Sequence, residues 1–275
     1  MAQGSVASPP ERGPLDDNAR VAIESSHLRS LAPEVLAELT QGATRLRVPA
    51  GRNVYREGDV PAHFNIVVSG LLRVYVTALD GRTMTVRYGR PGAALGVVSP
   101  FTRAGELPAS VQALTDADLL VLQPSLVRRA AERDVRVARA MIDELSERVR
   151  CFIAEIPGSA FATVRQRVAR HLLDMASVSS DGTQLAAPIG QQDLAEAVGT
   201  AREVVVRALR ELRQEGLVRT QRDRIVLLDP ERLVGESYGV ASRRTLASSG
   251  TEVPDRGHLV GRHCDPYAAA MALRA

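Results

Sequence analysis

The spacing of apolar residues along this chain changes several times, and each change predicts a different kind of structure. Residues 1–27 are polar and proline-rich and show no periodicity, so we predict a mobile N-terminal arm. Apolar residues then follow helical spacing over residues 31–39. Between residues 45 and 122 short apolar segments alternate with glycine turns. Strands at this spacing predict a small antiparallel barrel or roll, which we place at residues 28–133.

From residue 134 the spacing becomes that of a long helix. Apolar residues recur there in alternating steps of four and three, the heptad pattern of a helix that packs against a partner. These residues are Ala138, Ile142, Leu145, Val149, Phe152 and Ile156. We therefore predict a dimerisation helix over residues 134–157 and a homodimer; packing against its own domain is the alternative. Pro157 and Gly158 are predicted to end the helix and to act as a hinge.

Residues 158–233 contain two helices joined by a tight turn. The first helix is predicted over residues 191–198, the turn at Gly199–Thr200, and the second helix over residues 201–214. Apolar residues of the second helix recur on one side, and most of the charged residues lie on the other. This order is typical of a helix-turn-helix domain.

A hairpin and a tail follow the second helix. Gly216 ends the helix, and two short apolar segments form a hairpin that turns at Arg222–Asp223, as in a winged domain. Residues 234–275 lack periodicity and predict a poorly ordered tail. The fold class is therefore α+β, with an N-terminal antiparallel β-roll, a long dimerisation helix and a C-terminal winged helix-turn-helix.

The composition is that of a globular protein that stays outside the membrane. Of the 275 residues 45% are hydrophobic and 24% are charged, and no apolar run reaches the roughly 18 residues of a membrane span. The polar N-terminus does not fit a signal peptide. Two cysteines, Cys151 and Cys264, cannot form a disulfide framework, so we expect a cytoplasmic protein.

The basic residues narrow the choice of partner. All 35 are arginines, although the net charge is only +3. The planar guanidinium suits phosphates and guanine edges. Aromatic residues make up only 3% of the chain, which argues against stacking on single-stranded nucleic acid. The charge alone does not indicate nucleic acid, but together with the helix-turn-helix order these residues favour double-stranded DNA as the partner.

The second helix of the winged domain carries side chains that can read bases. Arg202, Glu203, Val206 and Arg207 lie on its N-terminal outer face. Arginine can bind guanine, glutamate can accept from cytosine, and a methyl group can contact thymine. Residues predicted to contact DNA phosphates are Thr200, Arg210, Arg219, Arg222 and Arg224. A solvated, charged helix without a DNA role is the alternative.

With these segments the chain resembles the cyclic-AMP receptor protein and FNR (Crp/Fnr) family of bacterial transcription regulators. The similarity spans residues 28–233 and includes the glycine turns of the roll, the heptad helix and the winged domain. Arg202-Glu203 and Arg207 match the recognition triplet of the cyclic-AMP branch. The resemblance implies TGTGA-like palindromic half-sites, with both arginines on guanines and Glu203 on cytosine. It also implies a cyclic-nucleotide-binding-like roll and RNA polymerase as a partner.

The ligand site of the family does not carry over. Val97 stands where the resemblance places a ribose-binding glutamate, and Leu107 where it places a phosphate-binding arginine. The adenine-contacting hydroxyl residues align with Phe152 and Ile153. We therefore predict a degenerate effector pocket and no certain cofactor, with cyclic AMP bound in a non-standard pocket as the alternative. The pocket residues are Gly96, Val97, Arg103, Glu106, Ala109 and Ser110.

Other sensing chemistry has little support in the sequence. The roll has no cysteine for an iron–sulfur cluster, and His27 and His63 are interpreted as ordinary surface residues rather than haem ligands. Cys151 beside the dimer seam is a possible redox site, with an inert small residue as the alternative. No metal site is predicted.

Two other function classes compete with a ligand-gated regulator. An enzyme is not expected, because no catalytic motif remains once the roll, helix and winged domain are assigned. A constitutive chromatin-organising protein would share the fold but would bind DNA with weak sequence preference.

Overall fold

The computed structural model describes residues 11–12, 15–59, 63–101, 107–178 and 184–238, with backbone alone at 11–12, 154–160 and 238. Among these, the residues up to Val76 and from Val86 to Val149 form one compact unit. Thr77–Thr85 and the residues from Arg150 onward form a second.

The described elements alternate between strands and helices in both units. The strands are β1 (Glu11–Arg12), β2 (Thr44–Val48), β3 (Asn53–Tyr55), β4 (Phe64–Ser69), β5 (Leu72–Thr77), β6 (Thr83–Gly89), β7 (Ala94–Leu95), β8 (Ser110–Ala113), β9 (Ala117–Leu122), β10 (Ser177–Val178), β11 (Leu185–Ala187), β12 (Val218–Thr220) and β13 (Ile225–Leu227). The helices are α1 (Asp17–Glu24), α2 (Pro33–Leu39), α3 (Pro124–Arg133), α4 (Val135–Ala160), α5 (Val164–Met175), α6 (Gln191–Val198), α7 (Arg202–Gln214) and α8 (Pro230–Tyr238), with a 3-10 helix at His27–Ser30.

The roll consists of two antiparallel sheets, as predicted. One has the strand order β1-β2-β9-β4-β7 and the other β3-β8-β5-β6. Side chains from both sheets, including Val67, Leu72, Val111 and Leu119, form one buried cluster. The alternation along each strand places one set of apolar side chains in this cluster.

A second apolar cluster lies on the other face of the five-stranded sheet. Phe64 and Ile66 of β4 contribute to it, and so do residues of α1, α3 and α4, among them Ile23, Val127 and Met141. Burial of apolar surface on both faces therefore fixes the position of β4 in the roll.

The prediction of a mobile arm is wrong for residues 15–27, because α1 and the start of the 3-10 helix lie there. The Asp16 side chain caps the helix by accepting from the Ala19 N–H at 2.8 Å. Ala19, Ala22 and Ile23 are buried against the roll. The arm was predicted because two of these three residues are small, so their helical spacing gave a weak apolar signal. Most of residues 1–14 lies outside the described residues.

The prediction that α4 ends at Pro157 and Gly158 is wrong. The backbone remains helical through Pro157 and Gly158 as far as Ala160. Proline removes one backbone hydrogen-bond donor, which a long helix can tolerate because the residues on both sides keep their own bonds. The predicted start of this helix is confirmed within one residue, because it begins at Val135.

The second unit contains the predicted winged helix-turn-helix elements. Its sheet has the order β10-β11-β13-β12, and β12 pairs with β13 as the wing hairpin. Helix α8 extends to Tyr238, so the tail prediction is wrong for residues 234–238, where Val234 and Ser237 are buried. Residues 239–275 lie outside the described part. Every helix of the described part is too short or too polar to span a bilayer.

Candidate nucleic-acid interface and effector pocket

The turn between α6 and α7 is built on a left-handed glycine. Gly199 has φ +72°, a conformation that side-chain-bearing residues rarely adopt. The Thr200 N–H donates to the Ala195 carbonyl at 3.0 Å and closes the end of α6. Ala201 is the N-cap of α7, and its side chain cannot accept a hydrogen bond. The first N–H groups of α7 therefore have no side-chain cap from this residue. The phosphate contact at Thr200 stays a prediction.

Helix α7 has two chemically different faces. The buried side chains are Val205, Ala208, Leu209 and Leu212. On the opposite face Arg202, Glu203 and Arg207 are exposed, and Val206 is half-buried. The apolar face therefore anchors the helix, and the predicted base-reading residues stand together at its N-terminal end.

The arginines predicted to contact DNA phosphates lie on α7 and the wing hairpin. Arg210, Arg219, Arg222 and Arg224 are all exposed. Arg219 donates to Gln184 Oε1 at 3.3 Å, and Arg224 donates to the side chain of Gln221 near the turn. These arginines are bound to neutral amides rather than to carboxylates in these contacts.

Helix α4 exposes much of the predicted dimer seam. Ile142, Val149 and Phe152 have 57%, 57% and 51% of their surface exposed. Ala138 and Leu145 are half-buried, and the side chain of Ile156 lies outside the described residues. Ala138, Ile142 and Leu145 also line one wall of a groove of about 750 Å³, whose other residues include Phe101 and Arg128. A row of large apolar side chains is thus left uncovered within one chain.

The predicted effector pocket contains apolar side chains at both positions where the resemblance expects charge. Val97 and Leu107 are buried. Gly96 has φ +70°, and a Cβ there would lie 2.0 Å from the His63 carbonyl oxygen. Ser110 is buried, and its hydroxyl accepts from the Glu57 N–H at 3.0 Å, while Ala109 is half-buried. Arg103 and Glu106 lie outside the described residues.

A group of charged side chains that the sequence reasoning missed lies beside β7. Arg87 on β6 and Arg148 on α4 both donate to the Ala94 carbonyl. Glu144 accepts from Arg148, and its other oxygen lies 2.6 Å from His27 Nδ1. One available signal was Glu144 four residues before Arg148, which places both on one face of a helix.

The two histidines near the roll are not ordinary surface residues, contrary to the prediction. His27 is half-buried, and its hydrogen bond with Glu144 raises its pKa. His63 is half-buried beside the Tyr55 ring, and burial lowers its pKa. Glu144, the partner of His27, lies on α4 far away in the sequence, so the local sequence does not reveal this contact.

The sequence analysis names Cys151 as a possible redox site and predicts no metal site. Cys151 is half-buried on α4, and its redox role stays a prediction. Within the described ranges, no group of three or more histidine, cysteine or acidic side chains could hold a metal ion.

Comparisons with known proteins agree with this architecture. A model of the cyclic nucleotide-binding domain matches residues 45–134, and one of the Crp-like helix-turn-helix domain matches residues 166–235. The chain is 30% identical over 211 residues to the cyclic AMP receptor protein of Thermus thermophilus, covering 77% of this chain and 96% of that protein. It is 27% identical over 191 residues to the cAMP-activated global transcriptional regulator Vfr of Pseudomonas aeruginosa, covering 66% and 88%.

A solved structure gives the same result for the fold. A transcriptional regulator of the CRP family from Thermus thermophilus superposes with a TM-score of 0.58 at 25% identity, covering 70% of this chain and 96% of that one. The roll, the helix-turn-helix and the wing are therefore shared with known regulators. The chain belongs to the Crp/Fnr family and is a Crp-like transcription regulator with a cyclic nucleotide-binding domain and a DNA-binding helix-turn-helix domain.

Proposed function

We propose that this chain acts as a homodimer that reads TGTGA-like palindromic half-sites with α7 and responds to an effector bound in the roll. In this proposal residues 28–133 sense the effector, 134–157 form the dimer contact and 158–233 bind DNA. Arg202 and Arg207 contact guanines, Glu203 contacts cytosine and Val206 contacts a thymine methyl group. RNA polymerase is the proposed protein partner.

The two-faced character of α7 is the observation that carries the DNA-reading part. Its apolar face is buried, whereas Arg202, Glu203 and Arg207 are exposed. A recognition helix needs a rigid support and free side chains at its N-terminal end. The exposed arginines of the wing fit backbone contacts that position the domain.

The exposed apolar row on α4 supports the homodimer. A second copy of the same helix would cover Ile142, Val149 and Phe152 by heptad packing. Two-fold symmetry then requires a palindromic target, with half-site centres about 34 Å apart.

The buried Val97 and Leu107 support a pocket that does not bind cyclic nucleotides in the usual way. A phosphate buried there without a cation would be costly. The names of two relatives nevertheless associate them with cyclic AMP, so the test includes this nucleotide.

The experiment measures binding of the full chain to fluorescent duplexes at fixed salt. One duplex carries a TGTGA palindrome and the other carries a scrambled sequence of the same composition, each with and without cyclic AMP. We expect the palindrome to bind at least about 10³-fold more tightly. Equal affinity for both duplexes would contradict the proposal and would favour a chromatin-organising protein. Tightening by cyclic AMP would favour the alternative in which this nucleotide binds in a non-standard pocket, and it would leave the DNA-reading part unchanged.

A further inference from the structure

Two guanidinium groups of the roll converge on one backbone oxygen. Arg87 Nη2 donates to the Ala94 carbonyl at 2.7 Å, and Arg148 Nη2 donates to the same oxygen. Arg87 comes from β6 and Arg148 from α4, which are far apart in sequence. Sharing one acceptor holds the two positive charges close together.

The one carboxylate in this group is already engaged. Glu144 Oε1 accepts from Arg148 Nε at 2.8 Å and from Arg148 Nη2 at 2.6 Å. Its Oε2 lies 2.6 Å from His27 Nδ1. Although burial raises the pKa of Glu144, the hydrogen bond from His27 and the charges of Arg148 and Arg87 outweigh this effect and lower it to about 2. Glu144 is therefore ionised and bound on both oxygens.

The charge of Arg87 is matched only in part by the described residues around it. Among the described residues, it makes no ion pair, and its Nε and Nη1 atoms make no hydrogen bond. Burial and then the charge of Arg148 lower its pKa to about 9, with Glu144 opposing this only in part. A cation that has lost water and gained no anion is unfavourable. The group carries two guanidiniums and one carboxylate, so its net charge is positive even when His27 is neutral.

The position of this group links it to the loop where the family binds its effector. Ala94 belongs to β7, and Gly96 and Val97 follow directly. Ser99 lies on the same loop with 7% of its surface exposed, and its hydroxyl oxygen has no hydrogen-bond partner among the described residues. This loop therefore carries a buried hydroxyl that the described residues leave unbonded.

We propose that Arg87 and Arg148 form an anion-binding site that takes a phosphate-bearing small molecule. This site supplies the positive charge that is missing where Leu107 stands. Guanidinium groups bind phosphate oxygens through paired, charge-assisted hydrogen bonds, and Arg87 has two donor atoms available. The inference rests on the proposed effector-sensing role of the roll, but not on the DNA sequence that α7 reads.

The test uses the full chain without DNA, so that a failure of DNA recognition cannot affect it. Inorganic phosphate and cyclic AMP serve as separate probes, which distinguishes free phosphate from a phosphate ester. Calorimetry gives the dissociation constants, and thermal unfolding gives the midpoints, both against chloride at equal ionic strength. Arg87→Met is the test variant. Arg139→Met is the matched control, because Arg139 lies on α4 and pairs with Asp143 in solvent.

We expect at least one probe to bind the wild-type chain and to bind Arg87→Met about tenfold or more weakly. Arg139→Met should bind as the wild type does. Without an anion, Arg87→Met should unfold at the same or a higher temperature than the wild type, because it lacks the uncompensated charge. If that variant does not fold, Arg87→Lys, which keeps the charge but loses the planar fork, should weaken binding measurably.

Two results would overturn the site. One is that neither probe binds beyond the effect of chloride. The other is that Arg87→Met binds the probe as tightly as the wild type, which would make Arg87 a structural residue only.

Discussion

The arginines of the recognition helix and those beside Ala94 have the same side chain in opposite surroundings. Arg202 and Arg207 on α7 are exposed, whereas Arg87 and Arg148 of the roll are half-buried and share one carbonyl oxygen. An exposed guanidinium keeps its water until DNA replaces it. A half-buried guanidinium beside a second one has already lost part of its water, so an anion gains more by binding there. Position within the fold therefore decides which kind of anion each pair suits.

The largest expected effect is on the free energy of unfolding, which should differ between substitutions on the two faces of α7. Leu212 is fully buried, so Leu212→Ala should lower the free energy of unfolding by about 2–5 kcal/mol. Arg207→Ala, on the exposed face, should change it by no more than about 0.5 kcal/mol. Denaturant unfolding of both variants measures this. Equal destabilisation would mean that Arg207 also supports the fold, and the comparison would fail.

A smaller effect is expected at an arginine whose charge is fully matched. Arg165 on α5 binds Glu236 at 2.8 Å, Glu215 at 2.8 Å and Glu211 at 3.5 Å. The hydrogen bonds that Arg165 donates to Glu215 and then to Glu236 raise its pKa. Arg165→Met should cost about 1 kcal/mol of unfolding free energy, because it leaves three carboxylates close together near the surface. The loss should shrink at high salt. An unchanged or raised stability at low salt would argue against this network.

The smallest expected effect is a pH dependence with opposite signs at the two histidines of the roll. The pKa of His27 is raised in the folded state by Glu144, so its contribution is present below about pH 6.5 and is lost as pH rises through the folded pKa. The pKa of His63 is lowered by burial, so protonation below about pH 6.5 costs stability there. Each effect should be about 1 kcal/mol or less.

Unfolding at several pH values tests both histidines. His27→Gln should flatten the loss of stability on the alkaline side, and His63→Gln should flatten it on the acid side. The same pH profile for both variants would contradict the opposite environments assigned to them.

Much of the fold follows from local sequence patterns. The strands of the roll, the α6–α7 turn and the wing hairpin were predicted because alternation, helical spacing and glycine turns act over a few residues. The buried face of α7 was predicted for the same reason. The base contacts of its exposed residues follow from side-chain chemistry, and they stay predictions.

The rest depended on contacts between distant parts of the chain. The Arg87 and Arg148 pair could not be predicted, because β6 and α4 meet only after the roll has folded. Helix α1 was missed because packing on β4 rather than its own apolar content stabilises it. The helical Pro157 shows that a local breaking signal can be outweighed by the helix around it.

The most direct test of the central claim measures base discrimination by α7. Wild type, Arg202→Ala and Arg222→Ala are titrated against the TGTGA palindrome and against symmetric single-base variants of its half-site. Arg202→Ala should lose about 1–3 kcal/mol on the parent site and should lose discrimination at one guanine only. Arg222→Ala, at the wing turn, should weaken all sites equally and reduce the salt slope by about one for each half-site. If Arg202→Ala also weakens every sequence by the same factor, α7 does not read bases through this residue, and the account is contradicted.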